Sequence, residues 1–209
     1  MQESAYAGAV SQGEGGLRER KKLQTRAALT DAALRLALEK GPDSVTAEEI
    51  AEAADVSVRT FFNYFPHKEY AILGRNPAHL ESALERIATA PAEQSPLTTM
   101  WLIVRDVLHD LMAEGELSRR GELIMGSPSL LYHLMLSSMD DERQLSAALT
   151  ERIGDPLRAR LIVSAAGTAC RVAVELHKDG PDSAPADLVD AAFQLLAQGL
   201  DPDYQKGSS

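Results

Sequence analysis

Apolar positions recur along this chain at the three- and four-residue spacing of amphipathic helices, and almost nowhere with the alternation of a strand. Leu23, Ala27, Leu34 and Leu38 mark a first helical face, which Leu29, Ala33 and Leu36 widen, and Gly41-Pro42 stops that helix. Thr46 opens the next element, with Glu49 three residues on. This is the capping-box spacing, in which hydroxyl and carboxylate each serve a backbone amide left over at the helix start. Ile50, Ala51 and Ala54 then face inward. Asp55-Val56-Ser57 reads as a tight connection, Ser57 as the cap of a third helix from Val58, and Pro66 as its end.

Further along the helices lengthen. Leu97, Trp101, Val104, Leu108, Leu111 and Met112 form one stripe between Pro96 and Gly115. Ser127-Pro128 interrupts a region that resumes with Leu130, Leu131, Leu134, Met135, Leu145, Leu149 and Ile153. Two apolar helices follow near 155–177 and 185–200, the first rich in small residues. About 70% helix is expected, against about a third in ordinary globular domains. The expected fold class is all-α, with about nine helices in total. Residues 1–16, rich in Gly, Ser and Ala, read as a disordered arm, and 201–209 as a frayed tail.

Composition narrows the class. The chain has 209 residues, enough for one or two domains with a core that needs no disulfide or metal staple. Apolar runs reach about five residues where a membrane span needs about 20. MQESAYAGAVSQGEGG lacks the basic start and apolar stretch of a secretory signal, and the one cysteine, Cys170, can make no internal disulfide. The expectation is a reduced, cytoplasmic, soluble protein.

The net charge of −10 is unevenly spread. Residues 1–16 carry −2, residues 17–70 none, and residues 71–209 carry −8. Within the neutral segment, residues 18–35 carry +4, from Arg18, Arg20, Lys21, Lys22, Arg26 and Arg35 against Glu19 and Asp31. An acidic body with one basic cluster argues against nonspecific nucleic-acid coating by the whole surface and permits a localised polyanion contact.

The two short helices within residues 46–64, TAEEIAEAADVSVRTFFNY, have the length and turn of a helix-turn-helix, whose second helix enters the DNA major groove. Val56, Phe61 and Phe65 fit as anchors. Arg59, Thr60 and Asn63 remain for the outward face: Arg can bond a guanine edge twice, Asn an adenine edge twice, and Thr can meet a thymine methyl. Tyr64 and Lys68 fit phosphate contacts, which position without reading sequence.

The stretch LQTRAALTDAALRLALEKG, followed by VTAEEIAEAADVSVRTFFNYFPHKEYAI, closely resembles the DNA-binding domain of TetR-family transcriptional regulators, over residues 17–72. The shared features are the Thr-Arg-x-x-Leu helix, Thr-x-x-x-Ile-Ala, Val-Ser at the turn, Thr-Phe-Phe-x-Tyr-Phe, and Lys-Glu just afterwards. The resemblance implies a homodimer that places two recognition helices on a palindromic operator, usually as a repressor. It further implies a helical ligand-binding and dimerisation domain over residues 73–200. Position by position, Thr46 matches a phosphate contact, Val58 and Arg59 open the reading helix, and Thr60, Asn63 and Tyr64 continue its face. Lys68 matches the lysine that clamps the DNA backbone. Phe62 stands where the family often has Tyr, so it can stack on a sugar or thymine methyl but cannot donate to phosphate. Arg18, Arg20, Lys21 and Lys22 resemble the basic arm.

Beyond residue 72 the resemblance weakens. Trp101, Val104, Leu108, Met112, Met125, Leu131, Met135 and Met139 are candidates for an apolar pocket, since flexible Met side chains suit varied apolar ligands. The helices near 155–177 and 185–200 are candidates for the dimer face, with Ala165, Ala166, Gly167 and Ala169 allowing close approach. His67, His79, His109, His133 and His177 form no i,i+4 pair with one another or with Cys170, so no transition-metal site is expected, and no cofactor. Asp106, Asp110, Glu114 and Glu116 read as a solvated helix face, Cys170 as inert core, and Gly13-Glu14-Gly15-Gly16 lacks the Lys-Ser/Thr of a phosphate loop. No nucleophile–base constellation supports the alternative of a helical enzyme. A regulator controlled by a protein partner, without a small ligand, stays open.

Overall fold

A computed structural model describes the backbone of residues 4–113, 117–179 and 184–200, and the side chains of 20–110, 119–177 and 184–200. Among them are ten α-helices, one 3-10 turn and no strand. In chain order they are α1 (Ser4–Lys40), the 3-10 turn Pro42–Ser44, α2 (Ala47–Ala53), α3 (Val58–Tyr64), α4 (Lys68–Leu73) and α5 (Pro77–Thr89). Then come α6 (Pro96–Ala113), α7 (Leu117–Met125), α8 (Pro128–Ile153), α9 (Pro156–Asp179) and α10 (Pro185–Gln198). Half of the ten helices open on a proline (Pro77, Pro96, Pro128, Pro156, Pro185), where the missing N–H is one that no helix satisfies and φ is already helical. No described helix is long and apolar enough to cross a membrane.

α1 differs from expectation at its start. It takes in residues 4–16, expected as a disordered arm, because a helix nucleated over the strong formers after Leu17 gains one bond for each residue it adds. Its buried side also differs. Leu29, Ala32, Ala33, Leu34 and Ala37 are buried, whereas Leu23 and Leu38 are about half exposed, so of two apolar faces only one is covered. Gly41, at φ 84, turns the chain out of α1. The tail 201–209 and residues 114–116, with Glu114 and Glu116, lie outside the described residues.

The chain divides into two compact units. Residues 1–75 and 120–134 make one, and residues 76–119 and 135–209 the other. The first packs α1 to α4 around Phe61 and Phe65, with Ile50 of α2, Ile72 of α4 and Leu130 of α8 fully buried beside them. A boundary at residue 72 misses this recruitment. Leu123, Ile124, Leu130 and Leu134 are remote in sequence, yet they complete the first core.

The second unit packs Ile87 of α5, Met100 and Leu108 of α6, Leu149 of α8, Val163 of α9, and Val189 and Phe193 of α10. Here Ala166 and Ala169 point inward with Ala159 and Ala173, so the small residues of α9 serve this core, and only Gly167 of the candidate set is exposed. A cation closes the α5–α6 link. The Arg152 guanidinium donates to the carbonyls of Ile87 (3.1 Å), Ala90 (2.7 Å), Pro91 (2.5 Å) and Gln94 (3.2 Å).

Candidate nucleic-acid interface

Local chemistry fixes the start of α2. Thr46 Oγ1 accepts from the Glu49 N–H at 3.2 Å, and the Glu49 carboxylate accepts from the Thr46 N–H at 2.9 Å and from its hydroxyl at 3.0 Å, so the capping box is complete. Lys40 also donates to Glu49. That bond, followed by those from the Thr46 amide and hydroxyl, pulls the Glu49 carboxyl down from 4.5 to about 2. The turn after α2 places Asp55 at φ 53, a left-handed conformation that Asp tolerates better than most residues. Ser57 then caps α3, accepting from the Thr60 N–H at 3.1 Å while its hydroxyl pairs with Thr60 Oγ1 at 2.8 Å.

Seven residues make α3, and their two sides differ sharply. Phe61 is fully buried, and Phe65 just beyond the helix is nearly so, with ring centroids 5.7 Å apart. Arg59, Phe62 and Asn63 are exposed. Val58, Thr60 and Tyr64 are half-buried, so they border this face more than they build it. Phe62 is 53% exposed and meets Phe61 edge to face at 5.2 Å, which holds an aromatic surface outward beside the two hydrogen-bonding side chains. A guanidinium, a carboxamide and an aromatic plane on one short helix can read base edges by hydrogen bonding and stack on sugar or methyl groups.

The basic arm falls on α1. Arg20, Lys21 and Lys22 are exposed there, and the side chain of Arg18 lies outside the described residues. Thr46 is exposed, with its hydroxyl already engaged in the cap.

Lys68 departs from the expected phosphate contact. Its Nζ donates to the carbonyls of Pro42 (3.0 Å), Asp43 (3.0 Å) and Val45 (2.7 Å). An ammonium has three protons, and these bonds use them all. Lys68 thus ties α4 to the 3-10 turn ahead of α2.

Arg26 is a member of the site that periodicity misses. Its Nη1 donates to the Tyr64 carbonyl at 3.2 Å and its Nη2 to the Arg75 carbonyl at 2.7 Å, and the guanidinium lies 4.3 Å from the centre of the Phe65 ring. Burial lowers its pKa, partly opposed by Tyr64. The signal was present. Arg26 stands three residues from both Leu23 and Leu29, a cation on an apolar flank. Beside α4, His67 stacks on Tyr70, and His133 meets both rings, tilted against His67 at 5.3 Å between centroids and edge-on to Tyr70, while its Nε2 lies 3.8 Å from the Glu69 carboxylate. Among the described residues no group of three His, Cys, Asp or Glu is placed to hold a metal ion.

The eight candidates for an apolar pocket divide between the two units and differ in burial. Val104 and Leu108 are core, because their side of α6 faces α9 and α10. Met125, Met135 and Met139 are each more than 60% exposed, on the outer sides of α7 and α8. Leu131 is half-buried and belongs with Met125 to the first unit, and the Met112 side chain lies outside the described residues. Trp101 is half-buried. Its indole N–H donates to Asp190 Oδ1 of α10 at 2.7 Å, and the Arg105 guanidinium lies 5.0 Å from its ring centre. Cys170 is half-buried on α9, and burial pushes its thiol pKa up, away from reactivity.

Comparison with known proteins agrees with this geometry. The family described as bacterial regulatory proteins, tetR family, matches residues 29–70, and the MftR C-terminal domain matches residues 109–201. The HTH-type transcriptional regulator TcmR of Streptomyces glaucescens is 34% identical over 202 residues, covering 90% of this chain and 88% of that protein. The HTH-type transcriptional repressor KstR of Rhodococcus jostii is 26% identical over 163 residues, covering 69% of this chain and 76% of its own. Among solved structures, the TetR-family repressor FadR of Thermus thermophilus, in complex with lauroyl-CoA, superposes with a TM-score of 0.50 at 22% identity. That match covers 88% of this chain and 99% of FadR.

Proposed function

The chain belongs to the TetR family of bacterial transcriptional regulators, and on that premise we propose that it binds a palindromic operator as a homodimer and leaves it when a small apolar molecule binds the second unit. Like the relatives it matches, it is a DNA-binding transcriptional regulator and not an enzyme. The observation that carries the reading is the division of α3, with Phe61 buried beneath it and Arg59, Phe62 and Asn63 exposed together.

The dimer reading rests on α9. Leu157, Leu161, Val172 and Leu176 recur at helical spacing on its exposed side, opposite the buried Ala159, Val163 and Ala166, and Leu195 is exposed on α10. An apolar stripe of this kind on a protein of net charge −10 calls for a cover. A second reading, control by a protein partner, draws on the packed state of Val104 and Leu108 and the exposure of Met135 and Met139.

The test is selection of bound duplexes from a random pool, followed by affinity in a salt series. The expected product is a near-palindrome with half-sites about 34–36 Å apart or a multiple of that, and an affinity that falls steeply with salt. A pool without enrichment at low salt, after the protein has been refolded to strip bound ligand, would overturn the operator reading. Leu161→Asp is expected to give a monomer in sedimentation, and a variant still dimeric at micromolar concentration would remove α9 from the interface.

A further inference from the structure

α4 is only six residues long, and it is the element that follows the recognition helix. Ala71, Ile72 and Leu73 are buried, so it can shift only as a body, with whatever grips its ends. Lys68 grips the first end, as described. The second end is Gly74, which closes the helix in a left-handed conformation at φ 66, followed by Arg75.

A side chain from α7 occupies the space above that glycine. Arg120 is a charged residue only 8% exposed. A Cβ built on Gly74 would overlap Arg120 Nη1 and lie 2.5 Å from its Cζ and 3.0 Å from its Nη2. The guanidinium plane is therefore seated directly on the Gly74 backbone, and a side chain at this position would have to displace it. Gly74 suits this place twice, for its positive φ and for the bare surface that receives Arg120. A guanidinium is costly to bury, and one buried this far is held in place by its surroundings, unlike a surface arginine free to choose rotamers.

One residue further on, the Arg75 carbonyl accepts from Arg26, whose other amino group donates to Tyr64, the last residue of α3. Two arginines therefore meet at consecutive backbone positions. Arg120 bears on Gly74, and Arg26 joins Arg75 to the end of the recognition helix.

We propose that Arg120 is a positioning residue for sequence reading: seated on Gly74, it fixes the end of α4 against α7 and, through Arg75 and Arg26, the tilt of α3. The proposal rests on α3 being the recognition helix. Arg120, only 8% exposed against Gly74, is too buried to take a base or phosphate contact of its own. Its effect falls on discrimination between duplexes, where small errors of tilt spoil paired hydrogen bonds to bases, and spares the attraction to phosphates.

The test compares affinity for the selected duplex with affinity for a scrambled one, across a salt series, in the wild type and in Arg120→Met. The ratio of the two affinities is expected to fall about tenfold in the variant, within the range seen for coupling residues that touch no ligand. Affinity for the scrambled duplex and the salt slope are expected to stay unchanged. If the Met variant does not fold, Arg120→Lys, which keeps the charge and loses the plane, is expected to lower the ratio in the same direction. Gly74→Ala supplies the reciprocal measurement. Its loss of discrimination is expected to shrink when Arg120→Ala makes room for the methyl group.

A variant that melts earlier but discriminates as well as wild type would reduce Arg120 to a support of the fold and overturn the proposal. An equal Gly74→Ala loss in both backgrounds would assign that loss to the positive φ and do the same. A wild type that prefers no duplex would overturn the recognition reading itself, and the positioning role with it.

Discussion

The two units solve one problem alike and another differently. Each closes a link between helices with a cation that donates into backbone carbonyls, Lys68 into three near the 3-10 turn and Arg152 into one in the last turn of α5 and three between α5 and α6. Such ties satisfy carbonyls that helices leave over at their ends. They differ in what the tied backbone carries. In the first unit nearly every residue of a short stretch does something of its own. Thr46 and Ser57 cap, Phe61 and Phe65 anchor, and Arg59 and Asn63 face outward. In the second unit residues act as members of stripes, and a stripe tells where a helix is covered without telling by what. Function written into a short local motif constrains individual positions; function built from remote helices constrains only their shape and polarity.

The largest expected effect breaks the comparison at its anchor. Phe61→Ala empties a fully buried site in the smaller core and is expected to cost about 3–5 kcal/mol. Phe193→Ala does similar damage to the second unit. Denaturant unfolding followed by titration of a single half-site duplex, which needs no dimer, should show that only Phe61→Ala loses DNA binding in proportion to its unfolding. Equal loss in both would mean that the units fold as one.

Next in size is the pair of cationic ties. Lys68→Met and Arg152→Met each leave part-buried carbonyls unbonded and are expected to cost about 2 kcal/mol of stability. For Lys68→Met the salt slope of DNA binding should stay at the wild-type value, since its protons are spent within the protein. A slope smaller by about one would return Lys68 to the phosphate contacts.

Arg59→Ala sharpens the comparison from the other side. It is expected to lose about 1–3 kcal/mol of binding at one operator position, while stability moves by less than about 0.5 kcal/mol. Uniform loss across all sequences would make Arg59 a phosphate contact.

The smallest effect is that of the α2 cap. Thr46→Ala should cost about 1 kcal/mol at neutral pH. Glu49 is held at about 2 against an ordinary 4.5, so its contribution is complete above about pH 4.5 and is lost as pH falls towards 2. Thermal midpoints measured against pH should fall less steeply over that interval in Glu49→Gln.

The fold class and the local devices of the first unit were legible because their causes lie within a few residues. A hydroxyl and a carboxylate three apart make a cap, and two phenylalanines four apart share a face. What stayed hidden depended on distance along the chain. Nothing near Arg120 announces that its guanidinium meets Gly74, and Leu130 gives no sign of joining a core formed by residues 29–73. The spacing of Val104 and Leu108 fits a pocket wall as well as a core, and only the arrival of α9 and α10 decides between them. Lys68 misleads for a related reason. A lysine beside a DNA-binding motif looks available until the carbonyls that occupy it are located.

Trp101 is the one tryptophan of the chain, and it sits in the second unit with its N–H on Asp190 and Arg105 against its ring. Excited near the red edge of its absorption, where tyrosines are dark, the protein emits from a single place. That light carries no contribution from the first unit, which holds no tryptophan. An emission band that shifts when duplex is added would therefore be an optical record, made without any label, of news from α3 reaching α6 and α10.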